Sequence, residues 1–204
     1  VFFYSFLITI LFTPFGVIFT GHGDNSILVY SKQLLFGLFV LSFIAEFLNF
    51  FFPLGKVLNS VSIPISIFII IYFRKNFLNL KFLNFCILSS FIITLLILES
   101  EVYRPDAGLY HLPYIGILNS EKIIAGITNL HSRYGHISII QYLSAYSQNM
   151  LFDTNGIVFP AALIASSVII NFVYQIYKYN IKQLFNFHFF FLLFFLIYIF
   201  YKMN

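Results

Sequence analysis

Six stretches of this chain are apolar for about the twenty residues a helix needs to cross the hydrocarbon of a bilayer: 1–20, 33–53, 57–73, 82–98, 156–177 and 184–201. A single formal charge, Glu46 in the second, interrupts them. Backbone N–H and C=O groups in lipid must be satisfied inside the structure, which leaves helices or closed barrels, and continuous rather than alternating apolar runs select helices. The expected fold is therefore all-α, a polytopic transmembrane helix bundle of about six spans in one domain covering 1–204.

Composition agrees with that reading. Hydrophobic residues make up 60% and charged residues 9% of the chain, and the mean hydropathy is +0.93. A soluble domain carries about 25% charged residues, so water cannot be the main solvent here. The net charge of +4 does not imply nucleic acid, because the basic residues are scattered singly or in pairs between apolar runs and make no basic face. The single cysteine, Cys86, excludes an internal disulfide and a cysteine-built zinc site. The chain begins at Val1 inside an apolar run and stops at Asn204 just after another, as a piece of a longer protein would. No basic segment precedes the first run, so it reads as a span rather than a signal peptide.

The loops orient the spans. Arg74, Lys75 and Lys81 cluster between the third and fourth runs, Lys178 and Lys182 between the fifth and sixth, and Lys32 precedes the second. Placing these in the cytoplasm sends the long 99–155 connection to the opposite, extracytoplasmic side. Lys56 is then the one loop cation on the wrong side. Within the long connection, 106–119 and 137–152 mix three- and four-residue aromatic and aliphatic spacing and read as interfacial amphipathic helices, with a loop at 120–134 between them.

Polar chemistry is concentrated in that connection. Glu99, Glu101, Asp106, Glu121 and Asp153 account for five of the seven acids, and His111, His131 and His136 for three of the five histidines, alongside Arg104 and Arg133. A connection serving only to join two spans needs a few residues, so one this long and this polar suggests a built site. Asp106 follows Pro105, where a carboxylate either caps a starting helix or faces a substrate as a base or a cation ligand. Tyr110 and His111 follow close to its face if the helix is regular. His111 then relays a proton, binds a metal or simply packs. Asn129, His131 and Arg133 lie close together in sequence, a set suited to gripping a phosphate, with snorkelling of Arg133 at the headgroup level as the alternative. Glu46 inside a span is either functional or hydrogen-bonded to neighbours such as Ser42 or Asn49. His-Glu-x-x-His, a P-loop, a dinucleotide glycine turn and a Gly-x-Ser-x-Gly elbow are all absent.

The run Asp106-Ala-Gly-Leu-Tyr-His-Leu-Pro-Tyr, followed by Ala125-Gly-Ile-Thr-Asn-Leu-His-Ser-Arg-Tyr-Gly-His, resembles an uncharacterised bacterial family of multi-spanning proteins with Leu-Tyr-His and Asn-Leu-His-x-Arg signatures. That family is similar to membrane-embedded glycosyltransferases of the GT-C type. The resemblance implies a multi-pass protein of the bacterial inner membrane that takes a sugar from a polyprenyl-phosphate donor on the extracytoplasmic side, in cell-envelope polysaccharide or glycolipid assembly. It implies Asp106 as the catalytic acid or holder of Mg2+ or Mn2+. Tyr110, His111, Asn129, His131 and Arg133 become contacts to donor or acceptor. A transporter or channel subunit is the competing class, with Glu46 at a midplane site among spans broken at Pro14, Pro64 and Pro160. A structural membrane subunit without catalysis is the third.

Overall fold

A computed structural model describes residues 1–20, 26–100, 107–135, 138–178 and 194. Every regular element among them is helical. Four stretches are long and apolar enough to cross a membrane: Phe2–Thr20, Ile27–Asn49, Leu80–Leu98 and Asp153–Gln175. The third expected run forms a shorter apolar segment, Lys56–Tyr72. The sixth, 184–201, lies outside the described residues apart from Phe194.

The first span is broken. Helix α1 (Phe2–Phe12) passes into a 3-10 turn at Thr13–Gly16 before α2 (Val17–Thr20) resumes. Pro14 causes this, because it has no N–H and its ring collides with a carbonyl four residues back. The break nests into α3 (Ile27–Asn49), where a Cβ on Gly16 would strike the Gln33 carbonyl and one on Gly37 would strike that of Phe12. Two glycines therefore allow backbone-to-backbone approach, a common way for helices to bind each other without water to drive them together. Helix α3 starts earlier than its apolar run, since the Ser26 hydroxyl accepts from the Val29 N–H at 3.3 Å and caps it. Lys32 accordingly lies exposed in a helix rather than in a loop.

The third run splits into α4 (Lys56–Asn59) and α5 (Ser62–Tyr72), followed by α6 (Arg74–Phe77). At 1.5 Å per residue, α5 alone extends only about 16 Å, short of the ~30 Å hydrocarbon layer. Helix α7 (Leu80–Leu98) is capped by Asn79, whose Oδ1 accepts from the Phe82 N–H at 2.9 Å. It meets α10 (Phe159–Lys178) through a buried hydrogen bond between the Ser89 and Ser166 hydroxyls at 3.0 Å. Phe39, Phe43 and Phe47 stay exposed along α3, as side chains facing lipid do.

The two ends of the bundle are distinct. At one, the Tyr30 hydroxyl donates to the Asn76 carbonyl at 2.7 Å and accepts from the Asn79 amide at 2.9 Å, tying the start of α3 to the 74–81 loop. At the other, the Leu54 N–H donates to the Leu118 carbonyl at 2.8 Å, and the Asn59 amide reaches the carbonyls of Leu54, Ala145 and Gln148 at 2.7, 3.0 and 2.8 Å. The 53–56 turn and the long connection thus share one end. Lys56, the cation on the unexpected side, is met there by Asp153 at 2.5 Å.

The long connection differs from the expected pair of interfacial helices. Residues 107–111 form a π-turn, not a regular α-helix, and lead into α8 (Leu112–Ser120). An ordinary α-turn would press the Pro113 ring against the Leu109 carbonyl, and the wider turn relieves that clash. Helix α8 keeps one buried face, Tyr114, Ile115 and Leu118. Helix α9 (Ile139–Ser147) does not, since every residue from Gln141 to Ser147 is buried and the helix packs against α3, α8 and α10. Small Ser144, Ala145 and Ser147 let those neighbours close around it, so α9 is a plug in the bundle.

Candidate functional site

The plug is what organises the polar cluster. Ser138 begins α9 with a capping box, its hydroxyl accepting from backbone and the Gln141 Oε1 accepting from the Ser138 N–H at 2.9 Å. With its oxygen engaged in this way, the Gln141 amide turns its NH2 group toward His111 and donates to Nδ1 at 2.8 Å. A ring nitrogen that accepts carries no proton, so neutral His111 carries its proton on Nε2. His131 reaches the same tautomer by another route, its Nδ1 accepting from the Arg133 backbone N–H at 3.2 Å.

Aromatic contacts join the two segments. The Tyr110 and His111 rings meet at a tilt of 44° with 4.2 Å between centres, and the Arg133 guanidinium sits 5.1 Å over the Tyr110 ring. Tyr134 lies 5.4 Å from the His131 ring and 5.7 Å from that of Tyr114. Four of the residues singled out in the sequence, Tyr110, His111, His131 and Arg133, therefore meet in one assembly at the same end as the Lys56–Asp153 pair. Arg133 and His131 are exposed, and Tyr110 and His111 are half-buried.

Two expected members stand differently. Asn129 is exposed in the 3-10 turn Ile127–Asn129, where its backbone N–H donates to the Gly126 carbonyl at 2.9 Å. Its side chain makes no hydrogen bond among the described residues. Asp106 lies outside the described residues, as do Glu101, Arg104 and His136.

Glu46 is half-buried near the end of α3 that meets α8 and α9. The suggested partners are occupied elsewhere, since the Ser42 hydroxyl donates to the Phe39 carbonyl at 2.7 Å and the Asn49 amide serves the carbonyls of Phe52, Leu118 and Glu121. Its charge acts instead on Tyr114. Burial first, then the Tyr142 hydroxyl 3.5 Å away and its charge, then the Glu46 charge raise the Tyr114 phenol above its ordinary range. Burial likewise raises Tyr146.

Gln141, Tyr114 and Tyr134 are site members that the sequence does not single out. The Ser-x-x-Gln spacing of the capping box marks Gln141 as a helix start, but only the packing of α9 against α8, which follows the π-turn, brings its amide to His111. No group of three or more His, Cys, Asp or Glu side chains able to hold a metal exists among the described residues. The cluster offers imidazole, guanidinium and phenol, a set of hydrogen-bond donors that suits an anion rather than a hard divalent cation seeking oxygen ligands.

No curated protein matches the chain, and no solved structure does. A family model described as a domain of unknown function, DUF8201, matches residues 1–204, and the chain belongs to that family.

Proposed function

We propose that this protein is a six-span, GT-C-like glycosyltransferase of the bacterial inner membrane, moving a sugar from a polyprenyl-phosphate donor to an acceptor on the extracytoplasmic side during cell-envelope polysaccharide or glycolipid assembly. The observation that carries the reading is the meeting of Tyr110, His111, His131 and Arg133 at one end of the bundle, with both imidazoles held as Nε2–H donors. A departing lipid phosphate needs such an array of fixed donors near a guanidinium, which stabilises charge as it develops.

In this reading the acceptor hydroxyl oxygen attacks the anomeric carbon and its proton passes to the Asp106 carboxylate. The bond from that carbon to the phosphate oxygen breaks with its electron pair on the oxygen, and the sugar is inverted. Arg133, His111 and His131 hold the resulting polyprenyl phosphate. Asp106, the residue that would hold Mg2+ or Mn2+ in this reading, lies outside the described residues.

Envelope glycan profiles of cells carrying Asp106→Asn, His111→Phe or Arg133→Lys at normal protein level test the proposal. Loss of one glycan in all three supports it, and unchanged profiles overturn it. The transport reading draws on the break at Pro14, but that break is closed by α3 packing onto Gly16 rather than opened around a site. Abolished uptake in Glu46→Gln vesicles with normal uptake in Asp106→Asn would favour transport instead.

A further inference from the structure

The segment that follows α8 is strapped across the end of α3. The Ile123 N–H donates to the Asn49 carbonyl at 2.9 Å, and the Asn49 amide in return donates to the Glu121 carbonyl at 3.0 Å. Beneath this strap runs a groove of about 370 Å3, whose walls include Phe50, Tyr114, Ile117, Ile124 and Ile127, with Lys122 among its lining residues. Its volume is that of a small-ligand site. Of its lining groups the Asn49 NH2 is committed to carbonyls and the Tyr114 hydroxyl to Tyr142, which leaves the buried Asn49 Oδ1 and the Lys122 ammonium as its polar points in an otherwise apolar wall. A ligand polar along its whole length would find few partners in such a groove, whereas a hydrocarbon chain needs none.

Position narrows the occupant further. The groove lies where the candidate span Ile27–Asn49 ends, the level at which a bilayer passes from hydrocarbon to head groups. Tyr114 forms one wall and is also the ring that touches Tyr134, which touches His131. An apolar channel and an anion-gripping cluster therefore share a side chain, and Lys122 adds a second positive charge on the channel side.

We propose that this groove holds the hydrocarbon chain of a lipid phosphate while the head group rests on the His111, His131 and Arg133 cluster. The proposal names the chain-binding half of the transferase site and rests on the lipid-linked reading above.

These 204 residues contain no tryptophan, so Phe50→Trp gives a lone fluorescent reporter at the groove and Phe36→Trp an exposed control on α3. This 204-residue chain in phosphatidylcholine nanodiscs would be titrated with polyprenyl phosphate brominated along its chain, with the matching brominated polyprenol, and with brominated phosphatidylcholine. Expected are saturable quenching of the Phe50→Trp protein by the polyprenyl phosphate, an at least fivefold weaker response to the uncharged polyprenol, and no saturable quenching of the Phe36→Trp control. Adding Ala125→Phe, which narrows the groove, weakens the polyprenyl phosphate response about fifteenfold, the loss expected for excluding about two chain carbons. Equal quenching of both reporters, or equal quenching by all three lipids, means bulk lipid contact only and overturns the groove. Saturable quenching together with a normal glycan profile in Asp106→Asn keeps the groove and removes the transferase. A lost glycan in Asp106→Asn without saturable quenching does the reverse.

Discussion

Gln141 donates its side-chain amide to Nδ1 of His111 across 2.8 Å, and the same side chain closes the capping box that starts α9. One residue thus both begins a buried helix and sets the proton position on a histidine of another segment.

Gln141→Glu separates these two duties. A glutamate completes a capping box as well as glutamine does, but its carboxylate accepts from Nδ1–H and drives the His111 proton off Nε2. Nitrogen-15 NMR of labelled histidine should report the switched tautomer. Loss of a fixed donor should lower sugar transfer about a hundredfold.

The contact between the first two spans sets a second test. Gly16→Ala or Gly37→Ala drives a methyl group into backbone carbonyl, which no rotamer change relieves. Each should cost about 1–3 kcal/mol or more, the range for overpacking. The midpoint of unfolding in detergent measures it, and Gly116→Ala, with open space at its Cβ, serves as the neutral control.

Asp153 holds a φ of +50°, a conformation that glycine adopts freely and β-branched residues resist. Its ion pair with Lys56 is exposed and screened by water. The expected order of thermal stability is therefore Asp153→Gly close to the native chain, with Asp153→Val clearly below both. Equal stability of the glycine and valine variants would remove the strain from the account.

Alkaline pH should destabilise the connection. The Tyr114 phenol is raised in the fold by burial and by Tyr142, so above the ordinary value of 10.0 the unfolded chain has released that proton while the folded one retains it. Stability is then fully present below pH 10.0 and falls as pH rises past it. Phenolate absorbance should show a late-titrating group that Tyr114→Phe removes, and that variant should keep more of its stability at high pH.

The interior of the connection is its least legible part. The 106–119 spacing predicts helix, and helix α8 is there, but the π-turn ahead of it depends on relieving Pro113. The 137–152 pattern suggests a helix with one wet face, whereas α9 is enclosed because α3, α8 and α10 surround it. Periodicity reports which residues can share a face, not how many neighbours will cover the others.

The sequence alone determined where four helices long and apolar enough to cross a membrane run and which stretch holds the polar chemistry, because these follow from local hydropathy and the length of a helix across a bilayer. Only the tertiary structure decided that Pro14 and two glycines lock the first spans together, that Lys56 finds Asp153, and that Gln141 sets the His111 tautomer. Those outcomes depend on contacts between residues far apart in the chain, and no local pattern encodes the direction in which a distant side chain will point.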